Sequence, residues 1–224
     1  MQPPRAGFTG SVYTAAVNSV ADSFAWPFQD PDWFGKMILQ GLIGIIPIVG
    51  PISVYGWLMM TIDSYRAGRH ELPPAGFHLE RGITIFVVYL VYAIVLFLPG
   101  IVIGSIGSAN NGQDLSGLGG LAFTAAGLFL AFLLPAVYLN TYRGGFAGGF
   151  DVAAVWAVAT LNPSATIVAG LLIIVAGIVG GLGFFACCVG LLFTVPYSYA
   201  IVAGVVTWYE KALAGPALTP TPPG

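Results

Sequence analysis

The sequence predicts an all-α membrane protein, a polytopic helical bundle of four full transmembrane helices plus a first apolar segment broken by proline and glycine. Three observations predict it. Of 224 residues, 57% are hydrophobic and only 7% charged, whereas soluble domains carry about 25% charged residues to cover a water-facing surface. The apolar residues fall into long runs, at 37–62, 83–106, 118–140 and 165–209. The first run is interrupted in its middle, by Ile46-Pro47-Ile48-Val49-Gly50-Pro51. A mean hydropathy of +0.88 agrees with a surface that faces lipid.

The chain reads as one domain, with an arm over 1–36, a membrane domain over 37–212 and a Pro-rich tail over 213–224 that is expected to be disordered. In the arm, Val12, Tyr13, Ala16, Val17, Val20 and Phe24 share helical spacing, so an interfacial amphipathic helix and a flexible arm are both open. Trp26-Pro27-Phe28 and Asp30-Pro31-Asp32-Trp33 then make an aromatic, turn-prone approach to the membrane. The first strongly apolar stretch begins near Met37, too late and too long for the core of a signal peptide. That segment is therefore expected to serve as the targeting signal.

The run over 37–62 would be about 39 Å long as one straight helix, enough to cross a ~30 Å hydrocarbon core with tilt. Pro47 and Pro51 each remove an amide donor, and Gly50 between them adds freedom. Two outcomes are open: a kinked fifth span, or a hairpin of two half-helices that re-enters. The runs over 83–106 and 118–140 each suit one crossing. The 45 residues of 165–209 would make a helix of about 68 Å, so they must fold back, near Gly180-Gly181-Leu182-Gly183 or a few residues later. Between the third and fourth runs, Asp151 is a good N-cap for a short helix over 152–161 whose Val152, Val155, Trp156 and Ala159 share a face. Asn162-Pro163 ends it, and Ser164 is placed to cap the next span.

Loop charges set an orientation. Arg66, Arg69 and Arg81 lie in the loop 63–82, Arg143 follows the third run and Lys211 follows the last, whereas 107–117 has no Lys or Arg. The positive-inside rule places loop 63–82 and the C-terminus in the cytoplasm. If the first segment re-enters, Arg5 and Lys36 join them.

Chemistry-bearing residues are few. No span carries a carboxylate, Lys, Arg or His at its centre, so coupled transport and general acid–base catalysis lack the groups they need. Gln40, Ser53, Asn140, Thr194 and Ser198 are the polar residues in or near the spans, and interhelical hydrogen bonds are their expected role. Gly177 and Gly181, overlapping Ala176 and Gly180, permit close helix packing internally or against another subunit. Pro99, Pro135 and Pro196 are read as structural kinks. With Gly50, Pro51, Gln40, Ser53 and Asn140, the residues Gly177, Gly181 and Pro196 form the set of candidate packing and polar contacts. His70, Glu71, His78 and Glu80 match no metal-site spacing and read as a solvated loop; Cys187-Cys188 reads as apolar packing. No metal, cofactor or nucleic-acid partner is expected, the net charge being −2 without a basic stripe.

One stretch carries a resemblance. Asp32-Trp33, Lys36, the run ending in Ile46-Pro47 and Gly50-Pro51, Tyr55-Gly56, and Arg66-Ala67-Gly68-Arg69-His70-Glu71-Leu72-Pro73 resemble the beginning of the prokaryotic membrane family DUF4013. In that family a Gly-Tyr pair leads to a basic segment ending in Glu-Leu-Pro; here the pair is reversed. The clear likeness covers 26–95. It implies a bacterial or archaeal plasma-membrane protein and supplies no activity. Two functions stay open: a non-enzymatic accessory or structural subunit acting through helix or lipid contacts, with membrane lipid and another membrane protein or itself as partners, and a transporter or channel component for a small neutral or hydrophobic solute.

Overall fold

The fate of the first apolar segment decides the architecture. In the computed structural model, which describes residues 19–110, 112–186 and 189–214, this segment is two helices, α2 (Trp33–Gly44) and α3 (Val49–Arg66). They follow a single helical turn, α1 (Asp22–Ala25), and a 3-10 turn at Trp26–Gln29. Then come α4 (Leu79–Ala109), α5 (Gln113–Phe150), α6 (Val152–Leu161), α7 (Pro163–Leu182) and α8 (Leu191–Ala214). Four helices are long and apolar enough to cross a membrane: α4, α5, α7 with its 3-10 extension to Phe185, and α8. The expected amphipathic stretch over 12–24 lies mostly outside the described residues, as do Arg5, Cys187, Cys188 and the tail from 215.

The first segment takes the broken form, and the prolines act differently from a kink. Pro47 falls between the helices, where the Val49 amide donates to its carbonyl at 2.7 Å. That γ-turn holds Ile48 at φ +66°, a costly conformation for a β-branched residue. Pro51 sits in the first turn of α3, where an amide has no intrahelical acceptor to lose. Gly50 supplies close approach rather than unusual dihedrals, because an added Cβ would overlap the carbonyls of Ile43 and Gly44.

Both ends of this hairpin lie at the same end of the bundle. Lys36 Nζ donates to the carbonyl of Leu72, in the loop after α3, at 3.1 Å. Trp26 stacks on Tyr65 with ring centroids 3.9 Å apart and donates from Nε1 to the Arg69 carbonyl. Lys36, Arg66, Arg69, Arg81, Arg143 and Lys211 thus gather at one end, while the break at 45–48 points to the other.

Asp30 anchors the start of α2. It is 1% exposed and accepts from Lys36 Nζ at 2.7 Å and from the Leu72 amide at 2.6 Å. Burial alone would push its carboxyl up, but hydrogen bonds from Lys36 and the Asp32 and Leu72 amides, with the Lys36 charge, hold it below the usual carboxylate range. A lowered folded-state pKa gives stability that is present above the unfolded value near ~3.9 and lost as pH falls through the folded one. Thermal unfolding in detergent from pH 7 to pH 3 should show that acid loss. Asp30→Asn should flatten it and cost about 2 kcal/mol at pH 7.

α4 and α5 form the longest hairpin. Gly100, Gly107 and Gly119 let the two backbones touch, since a Cβ at any of them would press on the opposite main chain. Leu90, Ile94, Val95, Leu98, Leu118 and Leu121 are exposed, as residues facing hydrocarbon should be. α5 keeps helical dihedrals through Pro135 as far as Gly144; Gly145 at φ +59° and ψ −143° turns the chain before a last helical turn. Asp151 caps α6 as expected, its Oδ1 accepting from the Ala154 amide at 2.9 Å. The predicted apolar face of α6 is divided, with Val155 and Ala159 buried and Val152 and Trp156 exposed.

Asn162, not Ser164, caps α7. Its Oδ1 accepts from the Ala165 amide at 3.2 Å, Pro163 takes the first helical position, and Ser164 Oγ instead donates to Asn162 Oδ1. Asn162→Ala should cost about 1 kcal/mol, read as a lower midpoint in thermal unfolding. The chain folds back between the 3-10 turn at Gly183–Ala186 and the start of α8 at Leu191, within the predicted stretch.

Candidate functional site

Three places at the hairpin and the charged end concentrate polar or open structure, apart from a cavity of about 250 Å³ between α4 and α5 at Gly107, Gly112 and Ser116. The first is a sealed lock inside the hairpin. Gln40 Nε2 donates to Ser53 Oγ at 3.1 Å, Ser53 Oγ donates to the Gly76 carbonyl at 2.7 Å, and the Gly76 amide donates to Gln40 Oε1 at 3.0 Å. Residues 40 and 53 would lie about 20 Å apart in one straight helix, so the bond between them is itself the signature of the reversal. Both are 0% exposed. The loop over 67–78 is partly packed and partly solvated. Leu72 and Pro73 are buried along α3, with Trp57 Nε1 donating to the Pro73 carbonyl at 3.2 Å, while Arg69, His70 and Glu71 are exposed as expected.

The second place is the charged end. The Asp63 carboxylate accepts from Arg81 Nη1 and from the Tyr142 hydroxyl, joining α3, α4 and α5. Glu210 on α8 pairs with Arg66 and with Arg143 at 2.7 Å, joining α3 and α5. The Arg66 guanidinium lies 4.0 Å above the Tyr142 ring. Its Nη2 meets Glu210 by proximity without hydrogen-bond alignment, and its Nε has no hydrogen-bond partner among the described residues. Beside this network is an open cavity of about 590 Å³, lined by Asp63, Glu80, Arg81, Thr84, Thr141 and Tyr142, among others. Thr141 Oγ1 is buried there without a hydrogen-bond partner among the described residues.

The third is an apolar cavity of about 400 Å³ at the opposite end of α3. Gly44, Ile45, Pro51 and Val54 of the hairpin line it, facing Leu192, Val195 and Tyr199 of α8. Close contact of Gly41 with the backbone of Leu192 holds the hairpin against α8, and exposed Ile45 stands at the cavity's rim.

The sequence-predicted residues distribute among these places. Gln40 and Ser53 meet each other, Pro51 lines the apolar cavity, and Gly50 makes the tight turn into α3. Asn140 precedes the polar cavity, its Nδ2 buried without a hydrogen-bond partner among the described residues. Pro196 is buried within α8. Ala176 and Gly180 are buried, Gly180 against Ser198, whereas Gly177 and Gly181 face outward with nothing near them. His70 contacts Gln29 and His78 contacts the Pro74 carbonyl. Among the described residues no group of three or more His, Cys, Asp or Glu is arranged to hold a metal ion. Sequence reading missed Thr141 and Tyr142; the only signal was their place directly before Arg143, where a span meets its basic flank.

Fold and composition together define a multi-pass α-helical membrane protein whose first apolar segment is a helical hairpin. The profile of DUF4013, described as a protein of unknown function, matches residues 39–189, two thirds of the chain, and the chain belongs to that family. The match begins after Asp32-Trp33 and Lys36 and extends beyond the stretch of clear likeness into the turn between α7 and α8. No curated protein and no solved structure matches the chain.

Proposed function

We propose that this protein is a non-enzymatic accessory subunit of a prokaryotic plasma membrane that works by holding lipid between its re-entrant hairpin and α8, with its basic end in the cytoplasm. The carrying observation is the apolar cavity bounded by Gly44, Pro51 and Val54 on one side and by Leu192, Val195 and Tyr199 on the other. An apolar space of this size suits a small ligand or part of a larger one, and the matter surrounding a membrane bundle at that depth is acyl chain. Filling the cavity restores the dispersion contacts its lining otherwise lacks. Gln40 and Ser53 bond to each other and to the folded-back loop. The polar groups of the hairpin thus serve its shape, which favours a holding role over passage of a solute.

The test is native mass spectrometry of the full chain purified from membranes in mild detergent. The wild-type protein should retain phospholipid, and Val195→Trp, which fills the cavity from α8, should lose most of it while keeping its helical content. A lipid-free wild-type monomer that brings down no membrane partner would defeat the reading.

A further inference from the structure

We infer that the polar cavity at the basic end is a binding site for a primary-ammonium phosphodiester, the headgroup chemistry of an ethanolamine phospholipid. The inference takes the lipidic source of its ligand from the reading above, but its site, residues and ligand chemistry are separate. The cavity lies where α3 ends, α4 begins and α5 turns at Gly145, so it is level with the membrane surface rather than its centre. Its lining carries both signs of charge. Arg81 spends one Nη on Asp63 and is 59% exposed, which leaves further N–H donors of its fork open to an anionic group.

Thr84, half-buried on α4, adds a hydroxyl to the lining, whereas Thr141 Oγ1 is enclosed against Gly149 and out of a ligand's reach. Glu80, in the first turn of α4 beside Arg81, presents an exposed carboxylate to the same cavity. Donors for a phosphate and an acceptor for an ammonium therefore line one cavity, as a zwitterion requires.

The geometry also selects the kind of ammonium. A quaternary ammonium is recognised by aromatic faces, and Tyr142, the one ring among the described residues that line this cavity, has a face covered by Arg66. Carboxylates reward N–H donors instead, which a primary ammonium has and a quaternary one lacks.

The experiment places the full chain in mixed micelles containing equal amounts of phosphatidylethanolamine, phosphatidylcholine and phosphatidylglycerol with identical acyl chains, and reads retained lipid by native mass spectrometry. The expected result is about tenfold preference for phosphatidylethanolamine over phosphatidylcholine, the size of one hydrogen bond to a charged group. Glu80→Gln should erase that preference without lowering phosphatidylcholine retention. Thr84→Val, close in shape and at a half-buried lining position, should reduce retention of both zwitterionic lipids.

Circular dichroism before each measurement confirms that the variants are folded; if Thr84→Val fails to fold, Arg81→Lys, at an exposed position, replaces it. Soluble glycerophosphoethanolamine forms a second arm: a raised melting temperature with it alone would assign the site to free headgroup rather than lipid. Equal retention of all three lipids, or a preference untouched by Glu80→Gln, overturns the inference. Lipid retained without headgroup preference would leave the acyl cavity standing, whereas preference surviving in Val195→Trp would separate the two sites the other way.

Discussion

Gly82→Ala is expected to be the most damaging single substitution in the membrane domain, lowering stability by about 3 kcal/mol or more. α4 crosses α3 with Gly82 against the backbone of Ile52 and Gly56 against the backbone of His78, and an added Cβ at either glycine would overlap the facing carbonyl oxygen. Main chain cannot rotate away as a flexible side chain can, so the helices must separate. Separation would also pull Arg81 from Asp63 and loosen the polar cavity. The effect should appear as a large fall in the thermal unfolding midpoint in detergent. Gly177→Ala, at an open position, should change it by less than about 0.5 kcal/mol.

Gln40→Leu should follow closely, at about 3 kcal/mol. The substitution keeps the volume but removes the acceptor of the half-buried Gly76 amide and the donor to the buried Ser53. A buried donor without an acceptor costs more than the bond was worth, because water no longer reaches it. Ser53→Ala should cost less alone, and the double variant less than the sum of both, since each removes part of one network. A cycle measured by reversible unfolding in mixed micelles would show the coupling; strict additivity would mean the two side chains act separately.

How much of this was legible follows from how local each feature is. Charge scarcity and the length of the apolar runs are properties of contiguous sequence, and they predict α4, α5, α7 and α8. Asp151 announces α6 because a cap acts over three residues. Pro47 and Pro51 announce a break, yet between a kink and a reversal the sequence stays neutral, because the deciding contacts are not local. Gln40 finds Ser53 only once the chain has turned, and both find Gly76 from a loop that looked solvated. Likewise the pairing of Lys36 with Asp30 and of Glu210 with Arg66 and Arg143 crosses elements. The polar cavity was invisible for the same reason: Asp63, Glu80, Arg81, Thr141 and Tyr142 come from the ends of three helices. Only folding brings them to one place.

The central claim is that the first apolar segment enters and leaves on one side. It is tested most directly by cysteine labelling in sealed vesicles, after Cys187 and Cys188 are replaced by serine. Gly35→Cys, Glu71→Cys and Asn110→Cys place single thiols at exposed positions before α2 is deeply engaged, in the loop after α3, and at the tip of the α4–α5 hairpin. With a membrane-impermeant maleimide, Gly35→Cys and Glu71→Cys should react from the same side and Asn110→Cys from the other. Labelling of Gly35→Cys and Glu71→Cys from opposite sides would contradict the hairpin and restore a fifth span.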